Sequence, residues 1–119
     1  MAATNQIHLV KSHFENRDAI VRQIYDRVLK SARNFGRVTE DPKKTSIHLV
    51  NRTAFAGIAT RKAAIILTIK ADSDISSPRI HKSEQTSARR FHHEVKLTSP
   101  ADVDSELVGW LKNAYALSD

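Results

Sequence analysis

The sequence predicts an α+β fold, in which an antiparallel sheet of four to five strands is flanked by an N-terminal and a C-terminal helix packed on one face. Two segments with helical periodicity bracket the chain, and short links join the β-prone segments between them. Short links are typical of antiparallel neighbours. The length of 119 residues and the 40% hydrophobic content predict a single domain over residues 1–119, in which we expect residues 1–12 to be loosely ordered.

The two helices are predicted from apolar residues that recur every three or four positions. The first covers Asn16–Phe35, with Asn16 as its N-cap and Gly36 as the glycine that follows its end. The second opens at Ser99-Pro100 and ends near Leu117. The apolar residues that we expect to pack on the sheet are Ile24, Val28, Leu107 and Leu111.

The strands are predicted from alternating residues and from β-prone runs. The candidate ranges are 37–40, 45–52, 53–59, 63–70, 79–83 and 89–97. The richest apolar run, Thr53–Lys70, is interrupted by Arg61 and Lys62, so we expect a central hairpin with these two cations at its tip. Gly57 and the alanines beside it indicate either close approach by another element, for which the first helix is a candidate, or a bulge.

The charge is unevenly distributed along the chain. The net charge is +6, and residues 37–96, with 12 Lys/Arg and 6 Asp/Glu, carry all of it. This asymmetry predicts an anionic partner, either nucleic acid or a phosphorylated small molecule; the alternative is that the excess charge serves solubility alone. The aromatic content of only 6% favours contact with phosphates over stacking on bases.

Arg61 and Lys62 form the centre of the predicted anion site, because a strand tip can present Arg as a bidentate phosphate donor and Lys as a point charge. Lys44, Arg90 and His92 complete the predicted set, on a basic surface of the sheet. The remaining cations that could extend this surface are Lys43, Arg52, Arg79 and Arg89. The function predicted from this pattern is non-catalytic binding of an anionic partner.

The run His92-His93-Glu94 is the main candidate for other chemistry. Adjacent strand residues point to opposite faces, so His92 shares a face with Glu94, whereas His93 shares one with Phe91. We therefore expect a structural role for His93 and no metal held jointly by the two histidines. No recognised catalytic motif occurs, so we predict no catalytic residue, no metal and no cofactor.

Two other functions stay open at this stage. One is a small hydrolase or nuclease-like enzyme that uses His92 and Glu94, and the other is a homodimeric protein-interaction module paired through an edge strand. No apolar run approaches the ~20 residues of a membrane span, and no signal peptide is recognisable, so we expect a soluble cytoplasmic protein without a membrane partner.

Several motifs spread from His13 to Tyr115 match a known pattern. They are His13-Phe14, IYDRVL, Lys44-Thr45, FAGI, Arg61-Lys62, FHHEVKLTSPADVDSEL and WLKNAY. On these motifs the chain resembles an uncharacterised bacterial domain family of unknown function, sometimes labelled a predicted transport protein. The resemblance implies no established activity. Related domains are fused to nuclease-like domains, which implies an association with nucleic acid.

Overall fold

The computed structural model describes residues 8–118. In chain order the elements are α1 (Ala19–Arg33), β1 (Thr39–Pro42), β2 (Ile47–Val50), β3 (Ala54–Thr60), β4 (Ile65–Ala71), β5 (Ile80–Ser87), β6 (Arg90–Leu97) and α2 (Ser105–Leu117). Short 3-10 helices precede α1, at Val10–Phe14, and α2, at Pro100–Asp102. Of residues 1–12, which we expect to be loosely ordered, residues 1–7 lie outside the described residues.

The six strands form one antiparallel sheet in the order β1-β2-β3-β4-β6-β5. The predicted α+β class and antiparallel sheet are confirmed, with six strands in place of four to five. The two edge strands account for the difference. β1 extends through Asp41 and Pro42, beyond the predicted range 37–40, and β5 continues from Glu84 to Ser87, beyond the predicted range 79–83. Edge strands tolerate proline and polar residues because one side of their backbone needs no partner.

Both helices lie on one face of the sheet, which we call the covered face. α2 packs on β3 and β4, and α1 packs on α2 and β4. The predicted contact residues Ile24, Val28, Leu107 and Leu111 are all fully buried. From the sheet, the largest side chains of this core are Phe55, Ile47, Leu49, Ile58, Ile65, Leu67, Ile69 and Leu97. The apolar stripes of the sequence therefore identify the core correctly.

α1 begins at Ala19, and Asp18 replaces the predicted Asn16 as its N-cap. Asn16 instead has a φ of 60° in the turn before the helix, a conformation that Asn tolerates better than most residues. At the other end, Gly36 has a φ of 152°, as expected for a glycine after a helix. A Cβ added there would lie 2.5 Å from the hydroxyl of Tyr115 on α2, so this turn needs glycine for both reasons.

The predicted start of α2 forms a separate 3-10 turn. The Ser99 hydroxyl accepts a hydrogen bond from the amide of Ala101 (3.1 Å), and the Asp102 carboxylate accepts one from the amide of Ser99 (3.2 Å). α2 itself starts after a second cap, in which Asp104 accepts a hydrogen bond from the amide of Leu107 (3.0 Å). The predicted cap at Ser99 forms, but it caps the 3-10 turn that precedes α2 and not α2 itself.

Candidate functional site

The face of the sheet opposite the helices, which we call the open face, contains a shallow groove of about 280 Å³. Its floor is β3, where the groove-lining residues include Ala54, Gly57 and Ala59. Its polar lining residues are Ser46, His48, Thr68, Lys70 and His92. The groove forms because small residues of one strand lie between larger side chains of the neighbouring strands.

The pairing of β2, β3 and β4 determines which side chains lie beside one another across the groove. His48 on β2 lies opposite Gly57 on β3, and Gly57 lies opposite Thr68 on β4. Gly57 faces this groove and not α1, so the expected packing of the first helix against it is wrong. An added Cβ at Gly57 would have the His48 ring as its nearest neighbour, at 3.8 Å, so the space above Gly57 is open.

The open face as a whole carries both signs of charge. Lys82 and Glu94 are direct cross-strand neighbours, and Glu84 lies opposite His92. The basic surface expected on the sheet is therefore confined to parts of it. Within the described residues, the groove is lined by one lysine and two histidines and by no carboxylate.

A cluster of cations lies at one end of the sheet, which we call the basic end. It consists of Lys43 and Lys44 in the β1–β2 turn, Arg61 and Lys62 at the β3–β4 tip, and Arg17 just before α1. The sheet brings these turns together because β2 and β3 are antiparallel, with Ile47 opposite Ile58.

His13 and Thr60 connect the parts of the basic end. His13 Nε2 lies 2.9 Å from the carbonyl oxygen of Lys43. The Thr60 hydroxyl donates to the carbonyl of His13 (2.6 Å) and accepts from Arg17 Nε (3.1 Å). This network joins the 3-10 helix, the β1–β2 turn and the central hairpin into one surface.

Arg61 and Lys62 occupy the hairpin tip as predicted, but they differ in availability. Lys62 Nζ lies 3.2 Å from the Asp18 carboxylate, and the Asp18 amide donates to the Lys62 carbonyl (2.8 Å). Arg61 Nη1 donates to the carbonyl of Thr60 (3.2 Å), an oxygen that Arg17 Nη2 also approaches (3.5 Å). None of the ion pairs found between described residues includes Arg61.

Lys44 resembles Arg61 in this respect. It is exposed in the β1–β2 turn and enters no ion pair with another residue of the described range 8–118. Its neighbour Lys43 pairs with Asp41, at 3.0 Å. Lys43 and Lys44 line a depression of about 130 Å³ together with His13. The basic end therefore presents three cations, Arg17, Lys44 and Arg61, that form no ion pair with a carboxylate of the described residues.

Arg90 and His92 do not join the basic end. Ile65 on β4 lies near that end, and five residues further along β4, about 17 Å of strand, Lys70 lies opposite His92. His92 lines the groove, whereas Arg90 lies beyond it and donates to the carbonyl of Arg89 (2.8 Å). The predicted set of five thus divides into three residues at the basic end, one in the groove and one outside both.

Arg79, a predicted extension of the basic surface, is already engaged within the protein. Its Nη1 contacts the carboxylates of Asp104 (2.9 Å) and Glu106 (3.1 Å), and its guanidinium lies 5.7 Å from the ring centre of Trp110. The Leu107 amide and the Arg79 guanidinium hold the pKa of Asp104 below its ordinary value by hydrogen bonding. Arg79 therefore braces α2 against the segment before β5.

His93 is fully buried on the covered face, opposite to the side on which His92 lies. Its Nδ1 lies 2.8 Å from the Ser83 hydroxyl, and its Nε2 lies 3.3 Å from both the Ile75 amide and the Ser73 carbonyl. These contacts hold the β4–β5 loop against the sheet, in agreement with the predicted structural role. Residues 8–118 contain no group of three or more potential ligands placed to hold a metal ion.

Sequence reasoning did not single out His13, Arg17 or His48 as site residues. His13 and Arg17 join the site through contacts with residues 30 or more positions away, which local patterns do not reveal. Alternation along β2 places His48 on the face away from Ile47 and Leu49. Its position beside Gly57 depends on the β2–β3 register, which no local pattern specifies.

A comparison with protein-family models matches residues 10–118 to a family described as Domain of unknown function (DUF5655). The match spans most of the chain, and the chain therefore belongs to this family. The resemblance to an uncharacterised domain family is confirmed, whereas the bacterial origin and the transport label receive no support from it. Neither a curated protein nor a solved structure matches the chain. No helix among the described residues has the length and apolar character needed to cross a membrane.

Proposed function

We propose that this domain is a non-catalytic binding module whose partner is nucleic acid, held by its phosphate backbone at the basic end. The observation that carries the proposal is the pair Arg61 and Lys44. They project from adjacent turns at one end of the sheet, and neither pairs with a carboxylate of the described residues. Lys62 and Lys43 stand beside them, each with one carboxylate neighbour.

The shape of the basic end favours a polyanion over a small phosphate. Its cations lie exposed on separate turns and do not converge on an enclosed pocket. Such an arrangement can contact several phosphates of an extended backbone, and it attracts them through charge alone. Binding of a phosphorylated small molecule is the alternative that the experiment must separate.

The test measures the affinity of a 20-nucleotide single strand and of the corresponding duplex by fluorescence anisotropy over a range of salt concentrations. We expect the unmodified protein to bind with a linear fall of log K against log salt. Arg61→Ala combined with Lys44→Ala should flatten that slope by about 1.8 for the duplex, or about 1.4 for the single strand, because two phosphate contacts are lost.

The matched control is Arg27→Ala combined with Lys30→Ala on the exposed side of α1. It removes the same two charges, and neither residue enters an ion pair with another described residue. Equal weakening by both double variants would reduce the effect to diffuse attraction and refute a site at the basic end. Inorganic phosphate or a nucleoside monophosphate that competes at micromolar concentration would favour the small-molecule alternative. Hydrolysis of the oligonucleotide that His92→Ala abolishes would instead assign the nuclease-like activity.

A further inference from the structure

We propose that the groove on the open face receives one unstacked base of a single-stranded nucleic acid whose backbone lies on the basic end. This inference rests on the proposed function and narrows its partner from nucleic acid in general to single strands. It is carried by the shape of the groove, the chemistry of its lining and its position beside the basic end.

The floor of the groove offers a place for a flat group. Apart from the two neighbours of Gly57 in the chain, only the His48 side chain among the described residues comes within 4 Å of the position that a Cβ would take at Gly57. The volume of about 280 Å³ lies near the lower limit of small-molecule sites, which suits one planar ring system better than a larger ligand. A base paired and stacked inside a duplex cannot enter such a groove, whereas a base of a single strand can turn out into it.

The lining of the groove provides the contacts that bases use. Rings of His48 and His92 offer stacking surfaces, and histidine is one of the aromatic side chains on which single-stranded bases stack. Ser46 and Thr68 offer hydroxyl groups, and Lys70 offers a cation that already donates to the Thr53 hydroxyl over 3.5 Å. The low content of Phe, Tyr and Trp does not exclude base stacking here, because histidine rings can also stack on bases.

The groove adjoins the basic end at two places. Ser46 follows Lys44 by two residues in the β1–β2 turn, and Ala59 precedes Arg61 by two residues at the end of β3. Two residues of extended chain span at most about 7 Å. A nucleic-acid backbone held by Lys44 and Arg61 therefore passes the mouth of the groove at a distance that one nucleotide can span.

The first test fills the groove by Gly57→Leu and compares the binding of dT20 and rU20 with that of a 20-base-pair duplex. Since stacking of one base contributes about 1–3 kcal/mol, we expect the variant to bind single strands about 5- to 150-fold more weakly. Duplex binding should stay unchanged. The control is Gly109→Leu on α2, where an added Cβ would likewise have space, since no atom of another described residue outside its own helix turn lies within 4 Å. Equal loss for single strand and duplex, or no loss for either, would overturn the inference.

A second test needs no change at the groove and so does not depend on the folding of a variant. The histidine ring signals of the unmodified protein are followed by NMR during titration with dT20, after assignment by single His→Gln changes. We expect the signals of His48 and His92 to shift, while that of His81 on β5 stays in place. Unshifted signals of His48 and His92 at saturation would contradict the inference.

The two proposals fail in different ways. If the protein binds neither single strand nor duplex at low salt, the proposed function fails. If it binds both and the basic-end variant weakens both, while Gly57→Leu and the histidine signals show no difference, only the base-binding inference fails. If dTMP alone shifts His48 and His92 as strongly as dT20 at equal concentration, the groove binds a mononucleotide and the single-strand inference is wrong.

Discussion

The two faces of the same sheet differ in what their side chains contact. On β4, Leu67 and Ile69 are fully buried under the helices, while Ile66, Thr68 and Lys70 on the alternate positions remain partly exposed. The same strand thus contributes an apolar core on one side and part of a polar groove on the other. Because strand side chains alternate, the placement of both helices on one face determines which residues are left for binding.

The polar side chains buried between the helices and the covered face form hydrogen bonds within the protein. Tyr25 is buried, and its hydroxyl donates to the Glu40 carboxylate over 2.6 Å. Burial is the main cause that raises the pKa of Tyr25, and the hydrogen bond to the Glu40 carboxylate raises it further. His93 is likewise saturated by Ser83 and the β4–β5 loop. The open face differs, since His48 and His92 line a groove that the helices leave uncovered.

The largest expected effect tests the difference in packing between the faces. Leu111→Ala on α2 should lower the free energy of unfolding by about 2–5 kcal/mol, because it leaves a cavity in the fully buried core. Ile66→Ala on the open face removes a similar amount of side chain and should cost less than half as much. Urea denaturation of both variants measures the difference. Equal losses would mean that the open face is also part of the core.

The second prediction compares two glycines. Gly36→Ala should destabilise the fold by about 1–3 kcal/mol, because φ is 152° and the new Cβ would meet the Tyr115 hydroxyl at 2.5 Å. Gly57→Ala should be neutral or stabilising by up to about 1 kcal/mol, since its nearest contact is an ordinary 3.8 Å and alanine restricts the unfolded chain. Thermal and urea unfolding of the two variants give both values. A loss at Gly57 as large as that at Gly36 would show that the groove has no free space above β3.

The third prediction concerns pH. Because the folded-state pKa of Asp104 is depressed, the carboxylate stabilises the fold above its unfolded-state pKa of about 3.9, and this contribution disappears as the pH falls through the folded-state pKa. Asp104→Asn should lower stability at neutral pH and make its decrease below about pH 4 shallower. Arg79→Ala should reproduce part of that change. Unfolding curves between pH 2 and 7 test it, and an unaltered pH profile in Asp104→Asn would refute it.

Local patterns predict most of the fold and only part of the site. The stripes containing Ile24 and Leu111 mark core positions because burial follows helical periodicity. The extent of β5 is missed because an exposed edge strand needs no apolar alternation. The position of Arg61 at a turn could be predicted, because Arg61 interrupts an apolar run of the sequence. The groove is missed because it depends on which residues of β2 and β4 lie beside Gly57.

The smallest expected effect on stability concerns the ion pair of Lys62 and Asp18. This pair is not buried like the covered face, and it differs from Arg61, which forms no ion pair within residues 8–118. The two side chains are 74% and 49% exposed, so the ion pair should contribute less than about 1 kcal/mol. Its effect on binding should be larger. Asp18→Asn keeps a residue that is equally favoured as N-cap, but it releases the charge of Lys62 toward the basic end.

If the proposed function is correct, Asp18→Asn should steepen the dependence of log K on log salt by up to about 0.9 for a duplex, the value for one added phosphate contact. Asp26→Asn is the control, because it frees Arg22 from a similar ion pair on α1 without lying at the hairpin tip. Anisotropy titrations at four or more salt concentrations measure both slopes. A slope that rises equally in both variants would mean that net charge alone sets the affinity, whereas a rise in Asp18→Asn alone would place a phosphate within reach of Lys62.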